Sequence, residues 1–258
     1  MTGGHETTPE PLVLKEVRDG IGLILLNRPR QRNALRCESW TELSAALTAL
    51  VGDDCVGGVV IAGSSGFFSA GGDLKSGPAH GTGAMAPAGR VEHAQQVLAQ
   101  LRALPVPTLA AVEGAAVGLG WSLALSCDLL VSAQDAFFSA PFVARAVVPD
   151  GGLAWRLTQQ VGRQRAASLL LRGSRLSAAE AHRMGLVTEL AAAGAAVDTA
   201  LAIAAELASA DRGAVEMTKR LIESAEAAQL AAFQPLELAV ATVAQHRSAA
   251  ATARAYYV

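Results

Sequence analysis

The spacing of apolar positions changes along the chain, and it predicts strands followed by helices. Two short apolar runs, residues 12–17 and 21–26, flank Asp19 and Gly20. An Asp-Gly pair is typical of a tight hairpin turn because both positions accept a positive φ. Apolar side chains then recur every three or four residues over 40–50, which predicts an amphipathic helix. The chain therefore begins with a hairpin and a helix.

The same alternation continues through the middle of the chain. Four further apolar runs are typical of buried strands: residues 56–62, 108–112, 128–132 and 186–190. Helical spacing falls between them, at 91–104 and 118–126, and the Gly- and Ser-rich stretch 63–89 predicts a long mobile loop. Two capping-box patterns, Ser39-x-x-Glu42 and Ser177-x-x-Glu180, predict helix starts.

From about Ala195 onward the pattern is helical only and rich in alanine. Strands that alternate with helices predict an α/β core. The sequence therefore predicts a core over residues 1–194 and a helical region over residues 195–258.

Composition narrows the class of protein. Hydrophobic residues make up 51% of the 258 positions and charged residues 17%, a balance typical of a folded chain. The net charge is −2 and the basic residues are scattered, so neither a nucleic acid nor an anionic membrane surface is an expected partner. The mean hydropathy of +0.32 is high, and it predicts that part of the surface is buried in an oligomer.

Targeting, disulfide and metal signals point to a reduced, cytoplasmic setting. The most apolar stretch, 108–133, is interrupted by Glu113 and Asp128, so we expect no membrane span there. The opening residues lack the basic and apolar regions of a signal peptide. The three cysteines form no CxxC pair and the five histidines show no metal-binding spacing, so no metal site is expected.

Two glycine-rich segments could point backbone N–H groups at a ligand oxygen. Residues 66–77 read GFFSAGGDLKSG, but Gly72 is followed by Asp73, which places the lysine wrongly for a phosphate loop. Residues 114–126 read GAAVGLGWSLALS, with Gly-x-Gly before a predicted helix but no third glycine of a dinucleotide fingerprint. On their own, both segments are equally well explained as ordinary loops.

Two single residues also carry candidate chemistry. Asp150, between Pro149 and two glycines, is either a turn residue or a general acid/base whose pKa is raised by the apolar stretch 142–148. Ser122 lies in GWSLA, one residue short of the GxSxG pattern of a nucleophilic serine. A packing role on a helix and a nucleophilic role for Ser122 both remain open here.

The order of these motifs resembles that of the crotonase (enoyl-CoA hydratase/isomerase) superfamily. The matching segments are Asn27-Arg28-Pro-x-x-x-Asn33-Ala34-Leu35, Phe68-Ser-Ala-Gly-Gly72-Asp73-Leu74-Lys75, Ala111-Val-Glu-Gly114-Ala-Ala-Val-Gly118-Leu-Gly120, Cys127-Asp128, Pro149-Asp-Gly-Gly152 and Leu176-Ser-Ala-x-Glu180-Ala-x-x-x-Gly185-Leu-Val. The similarity covers residues 12–190, and more weakly the helical part to about 244. It implies an α/β fold, a spiral of ββα units with a C-terminal helical trimerisation region, and an acyl-CoA thioester as substrate.

The resemblance also implies the site. The backbone N–H groups of Gly72 and Leu119 would form an oxyanion hole for the thioester oxygen. The substrate-binding residues implied by the motif match are Ala70, Gly72, Asp73, Leu74, Lys75 and Leu119. Hydratases of the family carry two glutamates, at the positions that Ser122 and Phe142 occupy here. Isomerases carry one carboxylate in the Pro-Asp/Glu-Gly-Gly turn, the position of Asp150.

We therefore predict an isomerase that shifts a double bond in an acyl-CoA thioester, with Asp150 as the base. Isomerisation of a ring-epoxidised phenylacetyl-CoA is the closest variant, and hydration or other enolate chemistry is the alternative on the same fold. A serine hydrolase using Ser122 and a non-catalytic acyl-CoA binder are the alternatives from other classes. No metal or redox cofactor is implied, and a homotrimer or a hexamer of two trimers is the expected assembly.

Overall fold

The computed structural model of the chain describes residues 10–73, 75 and 86–256. Nine strands are found in these residues: β1 (Val13–Arg18), β2 (Ile21–Leu26), β3 (Gly58–Gly63), β4 (Thr108–Val112), β5 (Ala115–Val117), β6 (Leu129–Ala133), β7 (Phe137–Ser139), β8 (Leu176–Ser177) and β9 (Glu189–Ala191). The same residues form nine α-helices: α1 (Cys37–Val51), α2 (Ala86–Arg102), α3 (Leu119–Ala124), α4 (Leu153–Val161), α5 (Arg163–Arg172), α6 (Ala178–Arg183), α7 (Ala196–Ala208), α8 (Arg212–His246) and α9 (Ser248–Tyr256).

The six-stranded main sheet has the order β1-β2-β3-β4-β6-β9, and only the β1–β2 pair is antiparallel. The hairpin between β1 and β2 turns at Asp19 and Gly20, whose φ angles of 48° and 78° confirm the predicted turn. Every residue of β4 is buried, which is the pattern expected of a parallel strand covered on both faces. The sheet forms the centre of the core.

A second, three-stranded sheet was not predicted. Its order is β5-β7-β8, and its strands are only two or three residues long. Strands this short show no measurable alternation, and the small side chains Ala115 and Ala116 carry little strand signal. The sheet matters for the site because β5 leads through Gly118 directly into α3.

One predicted helix start is wrong and the other is confirmed. Helix α1 begins two residues before Ser39, so Ser39 occupies the third helical position and its Oγ accepts the Arg36 N–H at 3.3 Å. Glu42 accepts the N–H groups of Leu12 at 2.7 Å and of Val13, the first residue of β1, at 3.0 Å instead of capping its own helix. The second box does form, with the Glu180 N–H donating to the Ser177 Oγ at 3.3 Å. A local motif could not reveal that β1 competes for the first glutamate.

After β9 the described chain is helical, as predicted. Helix α7 packs on β3 and β4, and α8 packs along α2. Helix α8 is long and apolar enough to cross a bilayer by length and composition alone. It exposes several apolar side chains, among them Leu221 at 74% and Val243 at 65%. The division of the chain at residue 195 into two regions stays a prediction.

Candidate active site

One cavity brings the three predicted catalytic residues together. It opens between the loop after β3, the start of α3, the turn before α4 and the C-terminal part of α8. It encloses roughly 650 Å³ of empty space, its open mouth included. The cavity is lined by Gly71, Gly72, Arg90, Gly118, Leu119, Pro141, Phe142, Arg145, Val147, Val148, Asp150, Ala241 and Gln245. Residues separated by more than 70 positions in sequence therefore face one space.

The backbone around Gly72 is held by a parallel bridge to Leu35. The Leu35 N–H donates to the Gly71 carbonyl oxygen and the Asp73 N–H donates to the Leu35 carbonyl oxygen, each at 2.7 Å. A parallel bridge of this kind uses the groups on either side of Gly72 and leaves the Gly72 N–H pointing away from Leu35. That N–H is available to a ligand in the cavity.

Leu119 lies opposite, at the first position of α3. The first N–H groups of a helix have no intrahelical acceptor. A Cβ added at Gly71 would lie 3.4 Å from the Leu119 nitrogen and 2.5 Å from the Val117 carbonyl oxygen, so the two chain segments are in close contact. Gly71 has φ +91°, and glycine is required there both by this angle and by the approach of Val117.

The third component is the turn that carries Asp150. Gly151 and Gly152 both have left-handed φ angles, 65° and 78°, and Gly152 caps α4. The carbonyl oxygen of Asp150 accepts the Ser122 Oγ–H at 2.9 Å. The turn is thus fixed through its backbone.

The Asp150 carboxyl itself has an unusual environment. Its Oδ1 is sealed from solvent and, within the described residues, has no hydrogen-bond partner. Burial raises the pKa of Asp150 to about 6, against an opposing effect of the Arg90 charge. A carboxyl whose pKa lies near neutrality and whose oxygen is unpartnered is suited to accept and return a proton.

The two positions that the resemblance assigns to hydratase glutamates hold Ser122 and Phe142, groups without acid/base function. Ser122 is fully buried and donates to the Asp150 carbonyl oxygen, with the Gly118 carbonyl oxygen a further 3.4 Å contact. Phe142 is 8% exposed and lines the cavity with its ring. Ser122 therefore supports the turn, and its proton points at a carbonyl rather than at a base.

Of the remaining predicted residues, Ala70, Asp73 and Lys75 are absent from the cavity lining given above. The Ala70 N–H donates to the Arg32 carbonyl oxygen, and Lys75 is exposed. Asp73 pairs with Arg28 at 2.8 Å, with both side chains largely buried, so this carboxylate holds the loop in place. Leu74 lies outside the described residues.

Glu113, the acidic residue directly after β4, is bound to another part of the fold. It accepts the N–H groups of Gly194 at 3.1 Å and Ala196 at 2.7 Å, which caps the start of α7. It is absent from the cavity lining given above. Asp150 is thus the carboxyl that the described chain places in the cavity.

Sequence reasoning missed the contribution of α2 and α8. Arg90 faces the Asp150 carboxyl, and Glu237 accepts the Gly152 N–H at 2.9 Å. Neither residue belongs to a local motif, and the Gly152–Glu237 contact spans 85 positions. A glutamate in an alanine-rich helix carries no sequence signal that it is buried.

Comparison with known proteins identifies the family. The family model described as "Enoyl-CoA hydratase/isomerase" matches residues 16–257. A probable enoyl-CoA hydratase of Rhizobium meliloti (strain 1021) is 38% identical over 213 residues, which cover 81% of this chain and 80% of that protein. The 1,2-epoxyphenylacetyl-CoA isomerase of Escherichia coli (strain K12) is 33% identical, with 83% and 82% covered.

A solved structure gives the same result. The crystal structure of an enoyl-CoA hydratase from Mycobacterium avium subsp. paratuberculosis K-10 superposes with a TM-score of 0.86 at 29% identity, covering 96% of this chain and 99% of that one. The fold is an α/β fold of the crotonase type, as predicted. The chain belongs to the enoyl-CoA hydratase/isomerase family.

Proposed function

We propose that the protein isomerises an acyl-CoA thioester, converting a 3-enoyl-CoA into the conjugated 2-enoyl-CoA. The observation that carries this proposal is the single buried carboxyl of Asp150, unpartnered at Oδ1, in the cavity that Gly72 and Leu119 line. One carboxyl facing two backbone N–H donors suits a reaction that moves one proton and stabilises one oxyanion.

In the proposed reaction Asp150 removes a proton from C2 of the substrate. The electron pair moves onto the thioester oxygen, where the N–H groups of Gly72 and Leu119 stabilise the enolate. The protonated Asp150 then returns the proton to C4, the double bond shifts to C2–C3, and the carboxylate is restored. Protons and electrons balance within the substrate and Asp150, so the scheme requires no metal or redox cofactor.

Hydration is the rival reaction, because several relatives are named as probable enoyl-CoA hydratases. Adding water requires a base for the water and an acid for the carbon. Ser122 is buried and donates to a carbonyl, and Phe142 has no ionisable group, so neither residue supplies these functions. The Escherichia coli relative's name adds a ring-epoxide thioester as a second substrate to test.

We also propose that the protein works as a trimer or a pair of trimers. The exposed apolar side chains of α8, including Met217, Leu221, Ile222 and Val243, support an association surface. Covering such side chains in a subunit interface removes apolar area from water.

The test is incubation with 3-enoyl-CoA and with 2-enoyl-CoA in deuterated water, with product and deuterium at C2 and C4 read by mass spectrometry. We expect conversion of the 3-enoyl substrate with deuterium incorporation. A hydroxyacyl-CoA product would establish hydration instead. Binding without exchange would identify a non-catalytic acyl-CoA binder, and fluorophosphonate labelling of Ser122 would identify a serine hydrolase.

A further inference from the structure

Helix α8 places a second carboxyl directly behind the turn that carries Asp150. Glu237 is 4% exposed, and its two carboxylate oxygens accept the Gly152 N–H at 2.9 and 3.2 Å. Its Oε2 also accepts the Nε2–H of Gln95, on α2, at 2.7 Å. Glu237 therefore links α2, α8 and the catalytic turn through three buried hydrogen bonds.

The position of Asp150 depends on its backbone, because its Oδ1 has no hydrogen-bond partner among the described residues. On one side of the turn, Ser122 donates a hydrogen bond to the Asp150 carbonyl oxygen. On the other side, Glu237 accepts the N–H of Gly152. The space between is tight. A Cβ added at Gly151 would lie 2.8 Å from the Leu119 Cδ1 and 2.9 Å from the Ser122 Cβ. A shift of this turn would move the base relative to Leu119.

We propose that Glu237 is a positioning residue for Asp150: it fixes the Gly152 N–H of the catalytic turn and places a second negative charge beside the base. This inference rests on the proposed role of Asp150 as the base. Glu237 does not line the cavity, so it acts through the turn and through its charge rather than by touching the substrate.

The electrostatics of the pair agree with this role. Burial is the main cause that raises the pKa of Glu237 to about 7; the hydrogen bonds from Gln95 and Gly152 oppose the rise, and the charge of Asp150 adds to it. The charged group facing Asp150 from α2 is Arg90, which lowers the pKa of Asp150. The two carboxyls are coupled, so ionisation of either one raises the pKa of the other, and an ionised Glu237 makes Asp150 a stronger base.

The experiment compares Glu237→Gln, Glu237→Leu and the control Glu216→Gln in the full-length protein. Glutamine keeps an acceptor for the Gly152 N–H and removes the charge. Leucine removes both and leaves a buried N–H unsatisfied. Glu216 lies on the same helix, away from the cavity, and pairs with Arg220 at 2.6 Å.

The first readout is the titration of the Asp150 carboxyl carbon by NMR in the ligand-free protein, assigned with Asp150→Asn. In the wild type and in Glu216→Gln we expect two steps, the upper one near pH 7, where Glu237 ionises. In Glu237→Gln the upper step disappears. A single step in the wild type, or two steps in Glu237→Gln, would overturn the electrostatic part of the proposal.

The second readout is kcat and KM for 3-enoyl-CoA at pH 8. We expect Glu237→Leu to lose about 10- to 100-fold in kcat with little change in KM, and Glu237→Gln to recover most of that loss. Equal losses in both variants, or a loss in KM alone, would refute positioning. If the leucine variant does not fold, Glu237→Gln and the NMR titration still decide. If the wild type has no isomerase activity, the proposed function fails while the titration still tests the Glu237–Asp150 pair.

Discussion

Replacing Asp150 by asparagine separates proton transfer from substrate binding. Asparagine has nearly the same shape, and the contacts that fix the turn, from Ser122 and Glu237, involve backbone atoms that the substitution leaves in place. The proposed oxyanion donors, the N–H groups of Gly72 and Leu119, are also backbone groups. The variant should therefore retain the cavity while lacking a group that can accept a proton.

The size of the effect follows from the ionisation of the base. With a pKa of about 6, roughly nine-tenths of the Asp150 side chains are ionised at pH 7. General acid–base catalysis is typically worth about 10²- to 10⁴-fold, so kcat should fall at least 100-fold. The affinity for an unreactive acyl-CoA analogue should change by less than about threefold, because no binding group is removed.

The same substitution should stabilise the protein above pH 6. The folded-state pKa of Asp150 lies above its usual value of 3.8, so the native carboxyl keeps a proton that the unfolded chain loses between pH 4 and 6. Stability from this group is complete below that window and is lost as the pH rises through it. A shift of about two pKa units corresponds to about 3 kcal/mol, part of which a buried amide would offset.

The assay measures isomerase kcat, analogue affinity and Tm for both proteins at pH 5 and pH 8. We expect the variant to lack isomerase activity and to bind the acyl-CoA analogue normally. Its Tm should exceed that of the wild type by a larger margin at pH 8 than at pH 5. A loss of binding that parallels the loss of activity would mean that Asp150 is a structural turn residue. Full activity in the variant would place the base elsewhere.

Three further predictions test other parts of the molecule. Hydration of crotonyl-CoA should be very slow because of Ser122 and Phe142, and turnover on the order of 10 per second in a coupled absorbance assay would contradict the proposed mechanism. Light scattering at micromolar concentration should give the mass of three or six chains. Leu221→Glu should lower this mass, because it places a charge at a position whose side chain is 74% exposed in the single chain. A monomeric wild-type protein would contradict the proposed trimer. Gly71→Ala should lose more stability in chemical denaturation than Gly66→Ala. Both glycines have a left-handed φ, but only at Gly71 would the added Cβ lie 2.5 Å from the Val117 carbonyl oxygen. Equal losses would show that the approach to Val117 does not limit the side chain at Gly71.

The sequence predicts most of the main sheet because its elements rest on local patterns. Asp19 and Gly20 determine their turn by backbone preference alone. The continuous apolar runs of β3 and β4 predict buried strands, and nearly all of their residues are buried. The three short strands of the second sheet were missed because their pairing depends on neighbours far along the chain. Ser39 was misassigned for the same reason: Glu42 accepts the N–H groups of Leu12 and Val13, where β1 begins.

The candidate site also contains residues that local motifs predict and residues that only the tertiary structure reveals. Asp150, Gly72 and Leu119 were predicted because they lie in contiguous motifs that match a family. Gln95 and Glu237 were not, since Glu237 reaches the turn of Asp150 from α8 and Gln95 reaches Glu237 from α2, and both helices show only amphipathic spacing in sequence. A hydrogen bond across 85 or 142 positions leaves no trace in the pattern of either segment.

The docking of α8 has a consequence for the order in which activity arises during synthesis. Gly72, Leu119 and Asp150 all leave the ribosome before Glu237 does, and domains fold from the N-terminus as the chain emerges. A nascent chain that has completed its sheet still lacks the contact from Glu237 to Gly152. The turn that carries Asp150 therefore gains its hydrogen bond to Glu237 only after the residues of the main sheet have been synthesised.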